Sequence, residues 1–225
     1  LGSAPPRFAH EALLVGTEGK LSKRLGSLGT DSLREEGIEP RALVALLARL
    51  GTADPVDPSL DADALAASFD LSRFGRAPAH FDEQDLHRIN AAVVHAMPFA
   101  EAAPSLPQGM DEAAWLAIRP NLARVSEAAD WWQVVTGPVA PPAFDAETRA
   151  FVAQAVEALA TLAWSDEVWR DLVAALKETT GRKGKALFQP LRQALTGRDH
   201  GPEMAALLPL IGRDAALERL RAAAG

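Results

Sequence analysis

The stretch "DEQDLHRINAAVVHAM", residues 82 to 97, limits this chain more than any other: Leu86, Ile89, Val93 and Met97 recur at spacings of three and four. That period gathers the four side chains on one stripe of an α-helix and scatters them over both faces of a strand. Asp82, just ahead of the stripe, is a natural N-cap, because its carboxylate accepts from the free backbone N–H groups of a first turn. The same grammar returns downstream. Asp145 opens "DAETRAFVAQAVEALATLAW" with Phe151, Val152, Ala155, Leu159 and Leu162 inward, and Ser165 opens "SDEVWRDLVAALKETTG", which Gly181 closes. Pro40 stands where a first helical turn accepts it, before "RALVALLARL" and a terminating Gly51. Only "RFAHEALLVG", residues 7 to 16, reads as a strand. The expected fold is all-α with a short non-helical N-terminal portion.

Composition sets the function classes. An apolar share of 48% over 225 residues is ample for buried cores. No apolar run approaches the ~20 residues of a membrane-spanning helix, and residues 1 to 15 lack a signal-peptide pattern, so a soluble, cytoplasmic protein is expected. The absence of cysteine excludes disulfides, thiol chemistry and cysteine-ligated metals. The net charge of -7 is unevenly spread. Residues 1 to 50 carry seven Lys/Arg against six Asp/Glu, residues 51 to 176 seven against nineteen, and residues 177 to 225 nine against five. Because charges act within about a Debye length of ~8 to 10 Å, basic ends on an acidic body are able to grip a polyanion, although solvated faces explain the same counts. Residues 98 to 110 and 137 to 143 cluster Pro, Gly and Ser and read as connections between helical packets. Helices of this kind also build adaptor surfaces without enzymatic activity, which is the alternative reading.

Near the N-terminus, "GTEGKLSKRLG" (residues 16 to 26) places Lys20, Ser22, Lys23 and Arg24 on a glycine-flanked loop. Ammonium groups and a hydroxyl on such a loop suit a triphosphate, but a basic pentapeptide is usually a solvated surface feature. No "GxxxxGKS/T" phosphate loop is present. In context, "GKLSKRLG" resembles the KMSKS loop of class I aminoacyl-tRNA synthetases in the form written by glutamyl-tRNA synthetases. Three further segments are similar to that family in the same order: "SLREEGIEPRALVALLARLG", "FDLSRFGRAPAHFDEQDLHRIN" and "GRKGKALFQPLRQALTGRDHGPEMAALLPLIGRDAALERL".

The resemblance implies the C-terminal half of a glutamate-tRNA ligase, since no HIGH-like element stands ahead of the loop. It implies residues 1–29 as the tail of the catalytic domain and 30–100 as a helical stem-contact region. Residues 101–225 would be an all-helical anticodon-binding region, open to a further split near 144–164. Lys23 matches the catalytic lysine at the ATP phosphates, with Lys20, Ser22 and Arg24 in support. Arg192, Gly201, Pro202 and Met204 match positions that the family places against the anticodon. The implied partners are tRNA for glutamate, with glutamate and ATP, the latter with Mg, bound through the catalytic half; the implied state is a monomer with no metal site in this chain and no membrane.

Three positions depart from the family pattern. Asn121 stands where some members present an arginine to the anticodon, Leu25 replaces a common histidine, and "ALVALLARLG" lacks the usual asparagine. Elsewhere, His87 and His95 read as exposed imidazoles, Trp115, Trp131 and Trp132 as core or a stacking platform, and Asn90 as a polar residue beside an apolar stripe that needs a buried partner.

Overall fold

The computed structural model describes Phe8, residues 12–16, the backbone of residues 19–20, and residues 29–225. Its helices are α1 (Thr30–Glu35), α2 (Pro40–Leu47), α3 (Ala62–Ala67), α4 (Glu83–Ala96), α5 (Phe99–Ala102), α6 (Glu112–Ile118), α7 (Ala128–Thr136), α8 (Ala146–Thr161), α9 (Val168–Thr180), α10 (Lys185–Thr196), α11 (Met204–Ile211) and α12 (Arg213–Ala224). Three short strands, β1 (Leu14–Gly16), β2 (Gly19–Lys20) and β3 (Ala79–His80), and four single 3-10 turns complete the described elements. The all-α expectation holds. The described residues divide into two compact units, Leu1–Met97 with Ala123–Val125, and Pro98–Leu122 with Ser126–Gly225.

In the first unit the strand expected over residues 7 to 16 is confined, among the described residues, to Leu14–Gly16. It pairs antiparallel with β2 through Val15 and Lys20, and parallel with β3 through Leu14 with Ala79 and Val15 with His80. Two residues of β3 carry no period of their own, so that pairing is invisible in the sequence. α4 behaves as its stripe requires: Leu86, Ile89, Val93 and Met97 are all buried, and the Asp82 carboxylate accepts from the Gln84 N–H at 2.8 Å. Asn90, fully buried on the same helix, accepts from the Glu39 N–H at 2.7 Å and donates to the Ala123 carbonyl at 2.8 Å and the Gly37 carbonyl at 3.4 Å. Glu39 is the N-cap of α2 and Pro40 its first residue, so the α4 amide fixes where α2 begins.

The second unit is a helical bundle in which α12 lies along α8 and α10, and α11 packs on α9, α6 and α7. Phe151, Val152, Ala155 and Leu159 of α8 are buried, while Leu162 lies half-exposed at the helix end. The Asp145 carboxylate caps α8 by accepting from the Thr148 N–H at 2.7 Å. α9 begins at Val168 rather than directly after Ser165. Ser165 instead closes a turn, its hydroxyl accepting from the Glu167 N–H at 3.2 Å and its carbonyl from the Val168 N–H. Gly181 ends α9 with φ +67°, a left-handed conformation that favours glycine. Residues 98 to 110 are not wholly irregular, because α5 forms within them. Trp115 is core, whereas Trp131 and Trp132 are half-buried.

Arginines close several helix ends in this unit. Arg219 of α12 is 8% exposed and donates to the carbonyls of Val135 (3.0 Å) and Gly137 (2.8 Å) at the end of α7, and of Leu195 (2.8 Å) near the end of α10. Arg213 donates to Ala160 (2.6 Å) and Leu162 (3.1 Å) at the end of α8. The last carbonyls of a helix lack intrahelical partners and carry the negative end of its dipole, so a guanidinium satisfies both needs at once. Pro190 lies inside α10 and has no N–H for the carbonyl of Ala186; Arg182 donates to that carbonyl at 3.4 Å.

Candidate nucleic-acid interface

α10, the turn 197–203 and the start of α11 bring together the C-terminal residues singled out from sequence. Leu187, Leu191, Ala194 and Leu195 face the core, which turns Arg192 toward the following turn. Arg192 Nη1 donates to the Pro202 carbonyl at 3.0 Å. The guanidinium is thus held by a backbone carbonyl. Burial pushes its pKa below the usual arginine value, with Glu203 acting in the opposite direction, and arginine remains protonated across the range in which proteins fold.

Side chains of α10 brace the turn. The Gln193 amide donates to the Asp199 carboxylate at 2.6 Å, and the Thr196 hydroxyl donates to the Arg192 carbonyl at 2.7 Å while accepting from the Arg198 N–H at 3.2 Å. Gly201 has φ +138°, and a Cβ there would come within 2.0 Å of a Trp131 ring carbon. Both conformation and close approach therefore demand glycine. Pro202 and Met204 are buried, and Met204 anchors the start of α11 in the core. Gly197, Arg198, Asp199, His200 and Glu203 stay exposed around them. The sequence leaves Trp131 as core or a stacking platform; that it lies beneath Gly201 depends on α7 meeting the turn, which no local pattern encodes.

The other sequence-derived residues are placed differently. Lys20 belongs to β2 by its backbone, and its side chain lies outside the described residues, as do Ser22, Lys23 and Arg24. His87 and His95 are exposed, with His87 Nε2 3.9 Å from a Glu36 carboxylate oxygen. Among the described residues no group of three or more His, Cys, Asp or Glu is arranged to hold a metal ion, and no helix is long and apolar enough to cross a membrane.

The fold has counterparts among solved structures. A glutamate tRNA ligase from Elizabethkingia meningosepticum, crystallised with its amino acid, superposes with a TM-score of 0.77 at 22% identity, covering 99% of this chain and 52% of that one. The helical fold of this chain is thus shared with that structure. Residues 91–224 match the anticodon binding domain family, and the chain belongs to that family. Among curated relatives, glutamate-tRNA ligase 1 of Novosphingobium aromaticivorans is 72% identical over 99% of this chain and 50% of its own length. Glutamate-tRNA ligase 2 of Erythrobacter litoralis is 62% identical over 98% of this chain and 48% of its own. The chain spans about half the length of the curated relatives it matches, and the resemblance to glutamyl-tRNA synthetases read from the four ordered segments is borne out.

Proposed function

We propose that this chain is the tRNA-binding portion of a glutamate-tRNA ligase that works in the cytoplasm as a monomer. The observation that carries the proposal is the braced 197–203 turn within an anticodon binding domain: Arg192 commits one Nη to the Pro202 carbonyl, and the rest of its fork remains for a base edge or phosphate. A guanidinium fork beside the exposed residues 197–200 is suited to reading an unstacked anticodon base. The 72% identity to a glutamate-tRNA ligase supports glutamate as the amino acid of the full enzyme. An adaptor role has no support among these relatives.

In this reading residues 1–29 belong with the catalytic unit, 30–100 contact the tRNA stem and 101–225 hold the anticodon. In the full enzyme ATP with Mg would supply an adenylyl group to the glutamate carboxylate with pyrophosphate leaving, and Lys23, with Lys20, Ser22 and Arg24, would neutralise charge at the phosphates. Titrating the chain into labelled tRNA for glutamate at several salt concentrations tests the function. Binding that weakens with salt and discriminates among anticodon variants is expected; equal, weak affinity for every RNA would overturn it.

A further inference from the structure

Phe188 is 39% exposed in the middle of α10, off the Leu187, Leu191 and Leu195 stripe that fills the core. Its ring meets Trp169 of α9 at a centroid distance of 6.3 Å, tilted by 38°, and Lys177 Nζ stands 5.7 Å from the ring centre. Lys185 precedes it by three residues and Arg192 follows by four, so both neighbour it on the helix surface. An exposed flat ring amid three cations, with Arg192 continuing to the Pro202 turn, is suited to a ligand that is both aromatic and anionic. An unpaired nucleotide has those two properties. Lys177 lies near the ~6 Å limit of cation–π attraction, so little holds it over the ring, and its stem is long enough to swing to a phosphate while a base takes its place.

We propose that Phe188 is the stacking platform for one unpaired base of the RNA loop that this chain binds, with Lys177, Lys185 and Arg192 on the adjoining phosphates. The proposal rests on the tRNA reading above and adds a second contact, one turn along α10 from Arg192. Stacking pays no heed to base identity, so Phe188 contributes affinity and orientation while the 197–203 turn discriminates. Glu203, whose charge acts on Arg192, would oppose a phosphate at that end of the patch.

The test uses the whole chain and anticodon stem-loop RNA of the glutamate tRNA carrying 2-aminopurine at successive loop positions. Wild-type protein should change the fluorescence of one loop position as the base moves onto the ring. Phe188→Tyr, which keeps a flat ring, should preserve that signal. Phe188→Leu keeps apolar bulk beside Trp169 but has no π face; it should abolish the signal and weaken binding about tenfold. Wild-type affinity and an unchanged signal in Phe188→Leu would overturn the platform while leaving the tRNA reading intact. No binding of the stem-loop by wild type above that of an unrelated hairpin would remove the tRNA reading, and the platform with it.

Discussion

The guanidinium of Arg219 on α12 donates to the carbonyl of Leu195 near the end of α10 at 2.8 Å, and the same side chain reaches the Val135 and Gly137 carbonyls at the end of α7. One buried cation therefore ties α12 to the negative ends of α7 and α10. Burial pushes its pKa down from the usual arginine value without discharging it. Arg219→Met should lower stability by about 3 to 5 kcal/mol, because three charge-assisted bonds are lost and their carbonyls stay behind. Urea unfolding followed by circular dichroism reads this. Arg221, exposed on the same helix, is the control, and its replacement should leave the midpoint nearly unchanged.

Asn90 supplies the corresponding tie in the first unit. Asn90→Ala removes its bonds with the Glu39 N–H and the Ala123 and Gly37 carbonyls and should cost about 2 to 3 kcal/mol. Asn90→Asp keeps the acceptor but sets a second acceptor against the two carbonyls, so it too should destabilise. Native-state hydrogen exchange across α2 and α4 would locate either loss; protection equal to wild type would contradict this account.

The Gly201 turn is sterically determined. Gly201→Ala places a methyl 2.0 Å from a Trp131 ring carbon at φ +138°, and should cost about 1 to 3 kcal/mol and weaken tRNA binding together. Adding Trp131→Ala relieves the clash but not the backbone strain. In a double-mutant cycle read by thermal denaturation, Gly201→Ala should therefore cost less in the Trp131→Ala background than in wild type, but still more than nothing.

Arg192→Ala separates two modes of recognition. If the guanidinium reads a base edge, affinity for tRNA falls by ~1 to 3 kcal/mol and discrimination among anticodon variants shrinks. A contact to phosphate alone weakens all variants equally and makes the slope of log affinity against log salt shallower by about one unit. Fluorescence anisotropy across a salt series distinguishes them, and unchanged affinity throughout would exclude Arg192 from the interface.

Acid lability should arise partly at helix caps. The Thr148 backbone N–H holds the Asp145 carboxyl below its usual pKa; Asp57 and Asp70 are lowered by bonds from Ser59 and Ser72. A carboxyl whose folded pKa lies below its unfolded value contributes stability above the unfolded value and loses it as pH falls through the folded one. The stability advantage of wild type over Asp145→Asn should accordingly be complete near neutral pH and vanish in acid. A difference independent of pH would mean that charge plays no part in the cap.

The helical architecture was legible because its causes are local. Leu86, Ile89, Val93 and Met97 share a face by the 3.6-residue period alone, and Asp82 and Asp145 cap because the free N–H groups of a first turn lie within reach of the residue before it. Family resemblance likewise located Arg192 and the Gly-Pro turn on one segment. Tertiary structure alone decided what these residues meet. The parallel pairing of β1 with β3 and the closure of Trp131 under Gly201 depend on distant segments returning to one place, and no local period encodes that. α12 shows the division most plainly. Arg213, Arg219 and Arg221 are the same side chain in similar surroundings of sequence, yet one caps α8, one is buried across the ends of α7 and α10, and one faces solvent. The sequence determines that α12 is a helix and where each arginine lies on its surface; which orphaned carbonyls wait opposite is settled only when the other helices have packed.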